Sequence, residues 1–233
     1  MVLFIGGSKG GVGKSLMAMI MLYYFINKGE RPILIETDTD NPDVLKAYST
    51  REGTEITGKD CDIFVCNLDH DDGWEMVFDI INENPDRPII INSGARNSMA
   101  LTNYGDTLNE IEDFKTLWVI NQKADSLNLL TRYMGIVQQP ICIVKNGYFA
   151  PEENFREFDN SKAARAGMES VFLPKATEAL TDALYIKRRS LNEISNGKGL
   201  TFGQRILARS WLNKIDKLAE DALASAKMVT VES

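Results

Sequence analysis

The sequence predicts an α/β fold in which a mostly parallel sheet carries helices on both faces. Three observations predict it. The apolar run Val2-Leu3-Phe4-Ile5 leads into a glycine-rich turn and then into a helical pattern that begins near Leu16. Short strand-like runs alternate with helical patterns along the rest of the chain, the signature of βαβ units whose ligands sit at the carboxyl ends of the strands. Finally, the 233 residues are 44% hydrophobic and 25% charged, ordinary globular usage with enough apolar material for a large core. A single domain over 1–233 is the expectation.

Taken in order, the first strand and helix are followed by the turn Gly29-Glu30-Arg31-Pro32 and the short run Ile33-Leu34-Ile35-Glu36, a buried parallel strand that completes a βαβ unit. Further strands are expected over 63–66, 88–92, 116–121, 141–145 and 171–173. The crossover helices are expected over 74–84, 99–114, 126–135, 151–167 and 177–184, from apolar residues at helical spacing. A C-terminal amphipathic helix over about 201–227 places Leu207, Trp211, Leu212, Ile215, Leu218, Ala219 and Ala222 on one face. Its opposite face mixes Arg209, Lys214 and Lys217 with Asp216, Glu220 and Asp221, whereas a membrane-seeking helix favours basic residues there. Packing on the sheet is therefore the expected role.

Composition excludes several classes of function. No run of 18 apolar residues exists, so no integral membrane segment is expected, and the apolar stretch over 16–26 reads as a core helix. No signal peptide is recognisable. A formal net charge of −7 argues against broad nucleic-acid binding by the whole surface. One tight basic cluster, Lys187-Arg188-Arg189, leaves a DNA phosphate or an acidic partner open, against the plainer reading of a solvated charge run. Cys61, Cys66 and Cys142 lack metal-ligand spacing, and His70 is the sole histidine, so reduced thiols in a cytoplasmic protein are expected.

The chemistry concentrates in Lys9-Gly10-Gly11-Val12-Gly13-Lys14-Ser15. Between a strand and a helix N-terminus, such glycines let successive backbone N–H groups point at phosphate oxygens, with Lys14 reaching the outer phosphates and the Ser15 hydroxyl holding Mg²⁺. The strict pattern G-x-x-x-x-G-K-[ST] fails, because Ser8 occupies the first glycine position and a second lysine, Lys9, precedes the glycines. This arrangement resembles the deviant Walker A motif K-G-G-x-G-K-[ST] of the ParA/MinD family of P-loop ATPases. The resemblance implies a P-loop NTPase architecture with ATP and Mg²⁺ as cofactors, held by Gly10, Gly11, Val12, Gly13, Lys14, Ser15 and Leu16. It also implies an ATP-dependent homodimer in which Lys9 crosses the interface to the partner subunit's nucleotide.

Three other segments follow from the same resemblance. The family carries D-x-D at the end of its second strand; here Glu36 replaces the first aspartate, and Asp38 takes the place of the carboxylate that positions Mg²⁺ and the attacking water, with Asp40 the next choice. An Asp-rich turn after a strand is the plainer alternative. The run Ile89-Ile90-Ile91 stands where the family has its Walker B strand, yet it ends in Asn92-Ser93-Gly94-Ala95. Asn92 can bind a metal-held water but brings no charge, which implies slow hydrolysis. The alternative puts the Walker B carboxylate elsewhere, as in Asp69-His70-Asp71-Asp72, which reads as a solvated loop. The resemblance assigns Asn146, closing Ile143-Val144-Lys145, to the adenine edge, and Pro174, closing Phe172-Leu173, to the side of the ring.

The phrases Glu36-Thr37-Asp38, Asn92-Ser93-Gly94-Ala95 and Phe172-Leu173-Pro174 are similar to conjugal-transfer TraL-like proteins. The expected function is a nucleotide-dependent dimerisation switch that controls a protein partner in a plasmid partition or transfer complex. A nucleotide-binding scaffold with little turnover is the first rival. An ATP-dependent carboxylase or amidoligase is the second, and the sequence reveals no substrate pocket for it.

Overall fold

The computed structural model describes residues 1–7, 10–52, 55–94 and 104–225. Strand β1 (Val2–Gly7) leads through the glycine loop to α1 (Lys14–Asn27) and β2 (Ile33–Glu36). Next come α2 (Asp43–Tyr48), β3 (Ser49–Glu52), β4 (Glu55–Gly58), β5 (Asp62–Val65), α3 (Asp71–Glu83) and β6 (Ile89–Asn92). After a short 3-10 turn at Thr107–Glu110 the chain forms β7 (Phe114–Ile120), α4 (Asp125–Met134) and β8 (Ile141–Asn146). It finishes with α5 (Arg156–Asp159), α6 (Lys162–Arg165), β9 (Ser170–Leu173), α7 (Glu178–Tyr185), α8 (Leu191–Ser195) and α9 (Phe202–Ala224).

Among the described residues, seven strands form one sheet in the order β5-β2-β6-β1-β7-β8-β9, and every pairing in it is parallel. Successive residues of a strand face opposite sides, and each side is covered. Leu3 and Ile5 of β1 join a core with α1 and with Trp211, Leu212 and Ile215 of α9. Val2 and Phe4 join a second core with Trp74, Val77 and Ile80 of α3 and Tyr133 of α4. Helix α1 is apolar on nearly all sides, with Met17 through Leu22 fully buried, as expected of a core helix. No described helix is long and apolar enough to cross a membrane.

Several sequence expectations need correction. The helix expected over 99–114 does not extend to its end: Phe114 starts β7 and stacks on Phe4 with ring centroids 6.4 Å apart, and residues 95–103 lie outside the described set. The single helix expected over 151–167 is a 3-10 turn followed by the short α5 and α6. The break falls at Asn160-Ser161, where the Ser161 hydroxyl caps the second helix by accepting from Ala164 N at 3.2 Å. On α9 the apolar stripe meets the core only from Ala208 onward, and Leu207 is 61% exposed, with Phe202 and Ile206 also outside. The polar hairpin β3–β4 and the short α2 and α8 were not foreseen, since none contains a long apolar period.

Candidate functional site

The sheet reverses its winding at β1: β6, β2 and β5 lie on one side, and β7, β8 and β9 on the other. The crevice beyond the carboxyl ends of strands at such a point is where open α/β folds bind ligands. Gly7, Glu36, Asn92 and Asn146 are all strand-terminal residues at that edge.

The glycine loop is shaped for an anion. Gly11 and Gly13 hold φ of 76° and 110°, values that a side chain disfavours. Gly13 is the N-cap of α1 and supplies no side-chain cap, and the first turn contains no acidic residue. The N–H groups of the first turn and the positive end of the helix dipole thus suit an anionic ligand. Lys14 stands in this first turn and is 6% exposed. Burial pushes its ammonium below the usual lysine range, and the negative charge of Asp38 partly offsets this; an incoming phosphate would stabilise the charged form further. Ser15 and Leu16 follow, both half-buried. Lys9, together with Ser8, lies outside the described residues.

Asn146 locks this loop from behind. Its Nδ2 donates to Val12 O at 2.8 Å, its Oδ1 accepts from Tyr148 N at 3.0 Å, and it is buried. A Cβ at position 13 would lie 2.4 Å from that Nδ2, so the glycine is required by close approach as well as by φ. The sequence expectation gave Asn146 to adenine; its amide is also a strut of the phosphate loop, which sequence reading missed because 134 positions separate the two groups. Leu173 pairs with Asn146 in the sheet register, so Pro174 follows at the same edge, where its carbonyl accepts from Trp211 Nε1 at 2.9 Å.

Across β1 the acidic side is built on β2 and β6. β6 pairs directly with β1, matching Ile5 to Asn92, so it is one of the two strands beside that of the phosphate loop. The alternative cluster is remote from it: Asp71 and Asp72 occupy the first turn of α3, which follows β5, and β2 and β6 separate β5 from β1. Asn92 also pairs in register with Glu36, and its Nδ2 donates to Glu36 Oε1 at 2.7 Å. Asp38 N donates to the same oxygen at 3.2 Å and Leu45 N to Oε2 at 3.4 Å. Both side chains are fully buried. Burial pushes the Glu36 carboxyl up to about 7, with the Asn92 amide and the two N–H groups opposing. Asn92 Oδ1 is buried without a hydrogen-bond partner. Thr37 Oγ1 donates to Asn92 O at 2.8 Å and accepts from Gly94 N at 3.2 Å, fixing the turn after β6. Asp38 is half-buried and its Oδ1 accepts from Asn41 N at 3.0 Å; Asp40 is exposed.

The remaining candidates are spent elsewhere. Arg188 pairs with Asp43 at 2.7 Å, Arg189 with Glu193 at 3.3 Å, and Lys187 Nζ donates to Gly199 O at 2.8 Å. The three cysteines are free and buried, and burial pushes Cys61 and Cys142 up to about 12 and Cys66 to about 11, which makes them poor nucleophiles. No group of three His, Cys, Asp or Glu fit for a metal occurs among the described residues. The residues at the phosphate loop nevertheless suit a nucleotide with its Mg²⁺: α1 begins without a side-chain cap, Lys14 lies buried in its first turn with its charge destabilised, and the Asn92 Oδ1 on β6 is buried without a hydrogen-bond partner.

Fold and loop together are those of a P-loop α/β protein. Its structural neighbours are ParA/MinD-family ATPases. A Cyanothece McdA variant solved with ATP superposes at a TM-score of 0.63 with 12% identity, covering 98% of each chain. MinD of Aquifex aeolicus, in its complex with MinC, gives 0.62 at 12% identity over 100% of this chain and 98% of that one. A ParA-family ATPase from Chlorobium tepidum gives 0.59 at 13% identity over 94% and 98%. In sequence, the chain is 38% identical over 232 residues to protein MobD of Acidithiobacillus ferrooxidans, covering 95% of this chain and 97% of that protein. The chain belongs to the MobD family. No protein-family model matches it.

Proposed function

We propose that this chain is a cytoplasmic ATPase domain that binds Mg·ATP, dimerises around it, and uses the nucleotide state to engage a protein partner in a DNA-mobilisation complex. The observation that carries the reading is the uncapped N-terminus of α1, with Gly11 and Gly13 at positive φ and Lys14 buried in the first turn. The ATP complex of McdA and the MinC complex of MinD support nucleotide binding and partner control by analogy of fold. The relative's name, MobD, supports the link to mobilisation.

In this reading the loop N–H groups and Lys14 hold the phosphates, the Ser15 hydroxyl holds the metal, Lys9 reaches the nucleotide of the second subunit, and Asn146 and Pro174 border the base. Mg²⁺, when bound, neutralises phosphate charge and orders the transferring group. Asp38, half-buried beside Lys14, orients the attacking water. Turnover is slow, because position 92 lacks a carboxylate. That last feature also favours a second reading, a nucleotide-binding scaffold without appreciable hydrolysis. Calorimetric titration with ATP tests the first claim, and single-turnover hydrolysis separates the two readings. Absence of ATP binding to the wild-type protein refutes both; binding without any phosphate release leaves the scaffold.

A further inference from the structure

The pair Glu36–Asn92 holds one acid, at the end of β2, and a neutral amide at the end of β6, where the resemblance puts a second acid. Asn92 ends β6, beside the phosphate-loop strand, and its amide orientation is fixed by its neighbour. Two backbone N–H groups donate to the Glu36 oxygens and favour its ionised form; facing that carboxylate at 2.7 Å, Asn92 presents Nδ2, because the flipped amide would set oxygen against oxygen. Oδ1 therefore points away from Glu36 and meets no donor, although it is fully buried. A buried carbonyl left so is destabilising, and native structures retain such groups where a ligand, ion or water completes them. Glu36, in turn, accepts from three donors, the Asn92 amide and the backbone N–H groups of Asp38 and Leu45. Three donors and no acceptor around it suit an ionised carboxylate.

We propose that Glu36 and Asn92 act as one unit at the metal side of the nucleotide, in which Glu36 on β2 supplies the negative charge and Asn92 Oδ1 supplies the acceptor for the hydration shell of the cation. This deepens the Mg·ATP reading and rests on it. The pair then holds one carboxylate, on β2, and a neutral amide on β6. Asn92 is then a positioning residue that carries the field of Glu36 toward the crevice, and a simple Asn92→Asp change does not repair the site. It sets two buried carboxylates at the 2.7 Å separation of the present hydrogen bond, where they cannot both ionise. The sequence alone suggests the opposite, that adding the acid at position 92 speeds the reaction.

The test measures how much Mg²⁺ tightens ATP binding, by calorimetry with Mg²⁺ and with EDTA, in wild type, Glu36→Gln, Glu36→Asp, Asn92→Asp and the exchanged pair Glu36→Gln/Asn92→Asp. Melting temperatures of each accompany it. In Glu36→Gln the gain from Mg²⁺ should fall at least about tenfold, as outer-shell losses commonly do, while binding in EDTA stays within about twofold, on the order of 0.4 kcal/mol. Glu36→Asp keeps the charge and should keep most of the gain. The exchanged pair should recover it to within about threefold, under 0.7 kcal/mol, and Asn92→Asp alone should melt below wild type. Should Glu36→Gln fail to fold, the exchanged pair and Glu36→Asp decide the matter. Full Mg²⁺ gain in Glu36→Gln, or a folded exchanged pair without gain, overturns the proposal while leaving nucleotide binding intact. No ATP binding by wild type in either condition overturns this proposal and the parent reading together.

Discussion

Replacing Gly13 by alanine should damage the site through two separable effects. The backbone there holds φ at 110°, and forcing a residue with a Cβ into positive φ costs roughly 1–2 kcal/mol. The new Cβ would also stand 2.4 Å from Asn146 Nδ2, too close for any real contact, so the amide must swing away. That breaks its 2.8 Å bond to Val12 O and leaves a buried carbonyl unsatisfied, for about 1–3 kcal/mol more. The sum centres at about 3.5 kcal/mol; at about 2–4 °C per kcal/mol for a chain of this size, the melting temperature should fall by roughly 10 °C. Calorimetric melting of Gly13→Ala, Asn146→Ala and the double variant forms a cycle. With Asn146 already truncated, Gly13→Ala should cost only the backbone part, a coupling of about 1–3 kcal/mol. Strict additivity, or a Gly13→Ala cost below about 0.5 kcal/mol, would refute the strut.

Other outcomes follow from the same structure. Lys14→Ala should abolish ATP binding, whereas Lys9→Ala should retain it and lose only ATP-dependent dimerisation; equal loss of affinity in both, by calorimetry, counts against the two-subunit role of Lys9. ATP at a hundred times its Kd should stabilise the wild type by about 2.7 kcal/mol, a rise of roughly 5–10 °C in a thermal melt, and should leave Lys14→Ala unshifted. Glu193 pairs with Lys59 at 2.6 Å; burial pushes its carboxyl up, but the bonds from Lys59 and Ser190 N outweigh this and hold it below the usual range. Its stabilisation is thus present above the ordinary carboxylate pKa and lost as pH falls through the lower folded value. Glu193→Gln should melt earlier than wild type at pH 7, with the gap narrowing as the pH falls below the ordinary glutamate pKa; a gap that does not narrow in acid contradicts the assignment. Arg188→Ala should lower the melting temperature by breaking the Asp43 pair without changing the salt dependence of any DNA binding; a flatter salt slope in a filter-binding assay would restore the cluster as a phosphate contact.

The strands were legible because each is a short β-branched apolar run, and a strand buried on both faces has little other composition available. Ile89-Ile90-Ile91 and Ile33-Leu34-Ile35 are the clearest cases, and both are interior strands of the sheet. The β3–β4 hairpin was not legible, since its cross-strand pair Thr50 and Thr57, hydroxyls 2.9 Å apart, is polar and gives no apolar alternation. Helical periodicity found the face of α9 but not the point where the core begins, because Leu207 and Leu212 look alike in sequence and differ only in what lies opposite them. At the site, the phosphate loop was readable because its glycines, Lys14 and Ser15 are contiguous. The Asn146 strut and the Glu36–Asn92 unit were not, since sheet register and loop packing join residues 134 and 56 positions apart.

Sedimentation velocity of the wild-type protein with saturating Mg·ATP, with Mg·ADP and without nucleotide tests the switch most directly. The account predicts a dimer in Mg·ATP, a monomer in the other two conditions, and a monomer in all three for Lys14→Ala. A wild-type monomer under saturating Mg·ATP, or a dimer that forms regardless of nucleotide, would contradict it.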